Sequence, residues 1–234
     1  MKQFKAITMG MALALAAVQM SHAQHAAGAE FGIKAGVQMS DIAVSGLDLG
    51  FNLLDPQMTP GVTAGLYAEI PMGGGMYFSP ELNYTQKGFK VYEGIDVNVF
   101  GANVPIGAEA ITKLHYLEVP LALKYKFGNG ATNGYLKAGP TVGYALSGTV
   151  NTRINSFLDF NVARIPLDLQ GDMYNTLEVG AMAGAGFEVR SGSGKFFADV
   201  TFQHGLTDLI NEPVVDLRVK NQSIGLGVGY ALHF

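Results

Sequence analysis

The chain has 234 residues, 31 of them glycine, with 15 basic and 19 acidic residues and no cysteine. That length holds one domain or two small ones. The acidic balance argues against a nucleic-acid partner, and without cysteine there are no disulfides and no thiolate metal sites.

The first 23 residues read differently from the rest. Lys2 and Lys5 precede the apolar run AITMGMALALAAVQM, and Ser21 and Ala23 supply small residues before Gln24. This is the layout of a cleaved signal peptide, residues 1–23, followed by one domain, residues 24–234. An anchoring helix would need about 20 apolar residues, and this run is shorter. Removal of the segment takes away two lysines and no acid, leaving 13 basic and 19 acidic residues, a net charge near −6.

From there apolar and polar residues alternate, the pattern of strands with two unlike faces. In FGIKAGVQM, Phe31, Ile33, Ala35, Val37 and Met39 share one face and Gly32, Lys34, Gly36 and Gln38 the other. VTAGLYAEI, MYFSPELNYTQK, YLEVPLALKYKF, YLKAGPTVGYAL, LEVGAMAGAGFEV, KFFADVTFQ and the closing QSIGLGVGYALHF follow, making eight strands. PMGGG, GNGATNG and RSGSG are tight glycine-rich turns. The remaining links, near residues 40–61, 88–113, 147–175 and 206–221, are long. The fold class predicted is all-β: an eight-stranded antiparallel up-and-down transmembrane β-barrel, with short turns and termini at the periplasmic side and long loops outside.

Alternation alone also fits a water-soluble sandwich. Two features favour the barrel. The polar faces are rich in Gly, Ala, Thr and Ser with isolated charges, which suits a crowded interior. Phe78, Tyr125, Phe127, Phe187, Phe196, Tyr230 and Phe234 all fall near the short-turn ends, where an aromatic girdle belongs. Pro80, Pro120 and Pro140 sit inside strands, and each predicts a bulge or a local loss of pairing.

Turning the polar phase inward places Glu69, Glu81, Glu118, Glu178, Glu188 and Asp199 in the lumen with Lys34, Lys87, Lys124, Lys126 and Lys137. Buried charges persist when paired, so these form a network that plugs the barrel. The glycines at 180, 184, 186, 225, 227 and 229 leave room for the long side chains. A polar conduit is the alternative reading of the same residues, and eight strands leave little lumen for it.

No catalytic, cofactor or metal motif is complete. SGSGK lacks the flanking residues of a phosphate loop, with Val189 and Phe196 at the positions that matter, and no G-x-S-x-G is present. His22, His25, His115, His204 and His233 have no metal-ligand spacing. A lipid-hydrolysing site from separate strands has Ser147, His204 and Asp199 as its formal candidates.

FGIKAGVQMS, LNYTQKGFK, LHYLEVPLALKYKF and LKAGPTVGYAL, in that order, resemble the PorT-like outer-membrane β-barrel family of Gram-negative bacteria. The resemblance implies an eight-stranded outer-membrane barrel, with members mostly of unknown biochemical role and a few tied to protein secretion, and no catalytic residues. It also implies that the terminal aromatic strand, with Tyr230 and Phe234, is an insertion signal read by the barrel-insertion machinery. The function expected is structural or interactive, through the long loops, with an envelope or secretion protein as partner; a narrow channel and a lipid hydrolase are the alternatives. Lys90, Lys113, Arg153, Arg164, Arg218 and Lys220 lie in or beside the loops, where lipopolysaccharide phosphates are a candidate neighbour, and LLDPQM and INEPVVDL are candidate protein contacts.

Overall fold

A computed structural model describes residues 28–45, 56–99, 102–128, 130–155, 160–167, 169, 174–209 and 218–233. The expected signal peptide and Phe234 lie outside these residues, as do residues 53–55 of LLDPQM and the whole of INEPVVDL, residues 210–217. Among the described residues nine strands form: β1 (Glu30–Ser45), β2 (Pro56–Gly73), β3 (Met76–Val99), β4 (Ala102–Phe127), β5 (Thr132–Asn155), β6 (Phe160–Leu167), β7 (Leu177–Ser191), β8 (Gly194–Gly205) and β9 (Arg218–His233). Every pairing is antiparallel. Each strand of the ring pairs with the next, β5 passes directly to β7, and β9 returns to β1. Eight strands thus close a barrel. The additional strand, β6, pairs with the upper part of β5, along the edge that β7 leaves above Tyr144.

The alternation decides which way each residue points. Ile33, Leu66, Leu226 and Val228 are exposed by 60 % or more on the outside, whereas Glu188 and Lys195 are fully buried inside. An outer wall of this composition is an apolar surface far larger than soluble monomers expose, and a closed barrel leaves no unpaired edge at membrane depth. Tyr125, Phe127, Phe187 and Phe196 are exposed and Phe78 and Tyr230 half-buried, all at the end where the short turns lie. The first of those turns needs its glycines: Gly73, Gly74 and Gly75 have φ of 92°, 62° and 80°.

One expectation changes and another is met by one of its two alternatives. The links at 88–113 and 147–175 are largely strand: β3 and β4 have 24 and 26 residues and pair as far as Val99 and Ala102, and β5 and β6 occupy much of the other link. A strand needs only about 9–11 residues to cross a bilayer, so these hairpins project well beyond the apolar belt. Their sequence looks like loop because, once past the lipid, neither face has to be uniformly apolar. The prolines, in turn, break pairing without bulges. Pairs 68/80 and 69/79 are missing beside Pro80, 81/120 and 82/119 beside Pro120, and 121/140 and 122/139 beside Pro140, yet the register is unchanged across each gap. Each proline lacks one N–H, and the flanking ladders hold the strands in step. The Ser79 hydroxyl donates to the Ala68 carbonyl (3.3 Å) that Pro80 leaves without a donor. Register shifts do occur, between Met58 and Thr63, between Pro71 and Gly73, between His115 and Tyr116, and on β5 between Thr152 and Arg153.

Candidate functional site: the charged lumen

The inward faces of the eight ring strands stack charge in three layers. Nearest the short turns, Glu30, Glu69 and Glu188 meet Lys124, Lys126 and Lys195. The Lys124 ammonium lies 2.8 Å from Glu69 and 2.9 Å from Glu188, and Lys195 lies 2.6 Å from Glu69 and 3.1 Å from Glu188. Lys195 also pairs with Glu30, and Lys126 with Glu69 and with Glu188 (2.7 Å). Tyr67 donates its hydroxyl to Glu69. Rings of Tyr135 and Tyr77 lie 3.6 and 4.0 Å from the Lys124 and Lys126 ammoniums, adding cation–π attraction. Arg190 reaches Glu30 from the rim at 3.4 Å.

The middle layer is a square of two lysines and two acids. Lys137 lies 2.8 Å from Asp199 and 3.2 Å from Glu81; Lys34 lies 3.2 Å from Asp199 and 3.4 Å from Glu81. Asn83 donates to Glu81 (2.9 Å), and Tyr135 and Thr201 donate to Asp199 (3.1 and 3.2 Å).

The upper layer has two acids and one lysine among the described residues. Lys87 lies 2.7 Å from Glu178 and 3.2 Å from Glu118. Neutral donors supply the rest: Gln203 donates to Glu118 (2.7 Å) and Asn221 to Glu178 and to the Tyr116 hydroxyl (3.2 Å). A cavity of about 40 Å³ separates this layer from the middle one, lined in part by Gln38, Thr63, Thr85, Thr201, Gln203 and Ser223. Its lining is mixed, with Pro120 and Met182 beside these hydroxyls and amides, and it has room for about three waters.

Above the upper layer the lumen becomes apolar. Leu114, Tyr116, Ala145 and Leu169 form one cluster, packed by Leu167 and Tyr174, and Ile42, Leu209 and Val219 form another beside Phe89. Backbone bonds clasp the segments that carry them: Asn175 N–H donates to the Leu209 carbonyl and Leu209 N–H to the Val219 carbonyl, both at 2.9 Å.

The structure therefore brings all eleven charged residues named from the sequence into the lumen and sorts them into these layers. Glu30 and Lys195 were not among them, although the signal was present: each lies four residues, two inward steps, from Lys34 or Asp199. The glycines divide their work. A side chain at Gly227 would meet the Lys34 Cε at 2.5 Å, and one at Gly184 would meet the Lys137 Cε at 3.3 Å, as expected. Those at Gly186 and Gly229 instead make room for the rings of Tyr135 and Phe197, at 2.5 and 2.3 Å.

Ser147, His204 and Asp199 do not meet. Asp199 faces the lumen, whereas Ser147 and His204 lie on the outward phase of β5 and β8. No cluster of metal-ligating side chains forms among the described residues. Tyr230 packs its ring 4.7 Å from that of Phe196.

A family model described as outer membrane protein beta-barrel domain matches residues 19–211. No curated protein sequence matches the chain. Among solved structures, the neisserial surface protein NspA is 13 % identical with a TM-score of 0.43, over 87 % of this chain and 97 % of its own. OprG of Pseudomonas aeruginosa is 13 % identical with a TM-score of 0.43, over 90 % and 97 %. The attachment invasion locus protein Ail of Yersinia pestis, solved with the heparin analogue sucrose octasulfate, is 14 % identical with a TM-score of 0.35, over 87 % and 99 %.

Proposed function

The chain belongs to the outer membrane protein beta-barrel domain family, and from that premise we propose that it is a closed, non-enzymatic barrel acting as a structural or interaction protein of the envelope. The signal peptide directs it through the inner membrane. Its short turns and termini face the periplasm, and the long β3–β4 and β5–β6 extensions face outward. Within the family it is placed with the PorT-like barrels, accessory to envelope protein secretion, on the strength of FGIKAGVQMS and LHYLEVPLALKYKF.

What carries this reading is the filled lumen. Three layers of ion pairs occupy the axis, and apolar clusters close its outer mouth. Moving an ion through would mean breaking buried pairs, each of which costs several kcal/mol to disrupt. Function then falls to the outer wall and the projecting hairpins. The test is twofold. The purified protein in a planar bilayer is expected to give no reproducible conductance, and conductance that changes in Lys124→Met or Glu178→Gln would establish a channel instead. Pull-down from solubilised outer membrane is expected to recover an envelope protein with the full chain and to lose it when residues 92–109 are replaced by a tight turn. Recovery that is unaffected by this deletion would move the function elsewhere.

A further inference from the structure

Charge is not balanced evenly along the lumen. In the middle layer Lys34 and Lys137 face Glu81 and Asp199, so the square carries no net charge. Above it Lys87 serves both Glu118 and Glu178, and among the described residues that layer keeps one negative charge in excess. Gln203 and Asn221 donate to these carboxylates, but an amide is neutral and leaves the excess in place. Arg190 reaches Glu30 at the opposite end of the barrel. A buried charge without compensation is expensive to keep.

The cavity between these two layers is lined by oxygens with few hydrogens left to give. Thr201 donates its hydroxyl proton to Asp199 (3.2 Å) and Ser223 donates to Gln203 (3.5 Å), so each has only lone pairs for a further partner. Thr63 and Thr85 share a hydrogen bond of 3.1 Å, which uses the proton of one of them. Asn83 donates its amide to Glu81, and its Oδ1 has no hydrogen-bond partner although the residue is only 6 % exposed. That oxygen occupies lumen space that Gly65 leaves open, since a Cβ at Gly65 would meet it at 2.3 Å. The surplus of acceptors continues upward: Glu118 Oε2 and Asn221 Oδ1 accept no hydrogen bond either. Lys34, the one cation lining the cavity among the described residues, is already held by Glu81 and Asp199. Buried acceptors seek a partner, and water would supply hydrogens without answering the charge.

We propose that this cavity is a binding site for one small monovalent cation of sodium's size. The hydroxyl oxygens of Thr63, Thr85, Thr201 and Ser223 and the Oδ1 of Asn83 hold it, with water filling the remaining volume. Its charge offsets the excess on Glu118 and Glu178. A divalent ion would overshoot that single charge, and these hard oxygens are not the nitrogen and sulfur ligands that transition metals favour. With ion-paired chains above and below the cavity, the ion enters as the barrel folds and leaves slowly. The site goes beyond the closed-barrel reading, and its failure would leave the conductance test of that reading untouched.

The test refolds the full chain in detergent micelles, in sodium chloride or in choline chloride of equal ionic strength, choline being too large for the cavity. Protein refolded with radiolabelled sodium and passed by gel filtration into choline buffer is expected to carry about one sodium per chain. The urea midpoint is expected to lie roughly 0.5–1 M higher in sodium than in choline. Glu118→Gln removes the excess charge, and the T201V/S223A double variant removes two ligands. Each is expected to retain roughly tenfold less tracer and to show the same midpoint in both salts, whatever its own stability. Val228→Leu, facing outward beside Gly227, is expected to match the wild type. Absence of co-eluting tracer, equal midpoints of the wild type in the two salts, or an undiminished sodium effect in Glu118→Gln overturns the proposal. A midpoint that rises with falling pH equally in both salts would show that a proton offsets the charge instead, and overturns it too.

Discussion

Substituting Lys137 by Met tests the middle layer most directly. Lys137 is almost fully buried and lies 2.8 Å from Asp199 and 3.2 Å from Glu81. Met fills most of the same volume but carries no charge, so Lys34 is left to serve two buried carboxylates. Breaking a buried pair by removing one partner costs about 3–5 kcal/mol, because the remaining charge stays desolvated. With a urea slope of about 2 kcal/mol/M, the unfolding midpoint should fall by roughly 1.5–2.5 M. The assay is urea unfolding in lipid vesicles, followed by tyrosine fluorescence and by the gel mobility of the folded barrel. The companion variant K137M/D199N restores one acid to one lysine, Glu81 with Lys34. It should recover more than half of the loss, a coupling that separate sites would not show. If the single variant shifts the midpoint by less than about 0.5 M, or if the two losses simply add, the layer is not an electrostatic unit.

Gly227→Leu should lower stability by about 1–3 kcal/mol through overpacking against Lys34 and Asp199, while Val228→Leu, one residue on and facing outward, should be tolerated; equal effects in a thermal melt would reverse the assigned faces. Nitroxides at Leu226 and Val228 should be relaxed by oxygen dissolved in the acyl chains, and nitroxides replacing Ile42 or Leu209 should not, so uniform relaxation would contradict the closed lumen. Gln203→Leu should cost about 1.5–3 kcal/mol although the residue is neutral, because it removes a hydrogen bond to a buried carboxylate; a denaturant curve matching the wild type would show that Glu118 does not depend on it. Ser147→Ala and His204→Ala should leave the mass-spectrometric profile of envelope lipids unchanged on overexpression, and a changed profile would reopen the hydrolase reading.

The period of two carried most of what the sequence could reveal. It set eight ring strands, the lipid side of Ile33, Leu66 and Leu226, and the short-turn end where Phe127 and Phe187 gather. It faded above the belt for a physical reason. Within the lipid only one face of a strand tolerates charge, so the pattern is sharp, whereas GFKVYEGIDVNV runs on past the belt, where that constraint no longer acts and cross-strand pairing extends the hairpin. The proline gaps show a similar limit. A missing N–H is legible, but the choice between a bulge and an unpaired step depends on whether the flanking ladder keeps register, and that is a property of the neighbouring strand.

The layers in the lumen could not be read from charge alone, because their balance is kept by different chemistry at each level. Near the short turns three acids face three lysines, with Tyr67 and Tyr135 adding hydroxyl and ring contacts. In the middle, two lysines each span two acids. In the upper layer Lys87 has no second lysine beside it among the described residues, and the amides of Gln203 and Asn221 do the donating. A polar amide on an inward phase is indistinguishable in sequence from a spacer such as Gln38, whose side chain bonds the Gln86 backbone. Only the tilt of the strands, which brings β8 and β9 residues to the height of β4 and β7 carboxylates, separates the two. The same tilt explains why the cavity falls where it does: it lies at the level where Thr63, Thr85, Thr201 and Ser223 converge, side chains too short to cross the axis. The lumen is closed by long ion-paired chains above and below that level, so closure depends on the lysines and glutamates rather than on the narrowness of the ring alone.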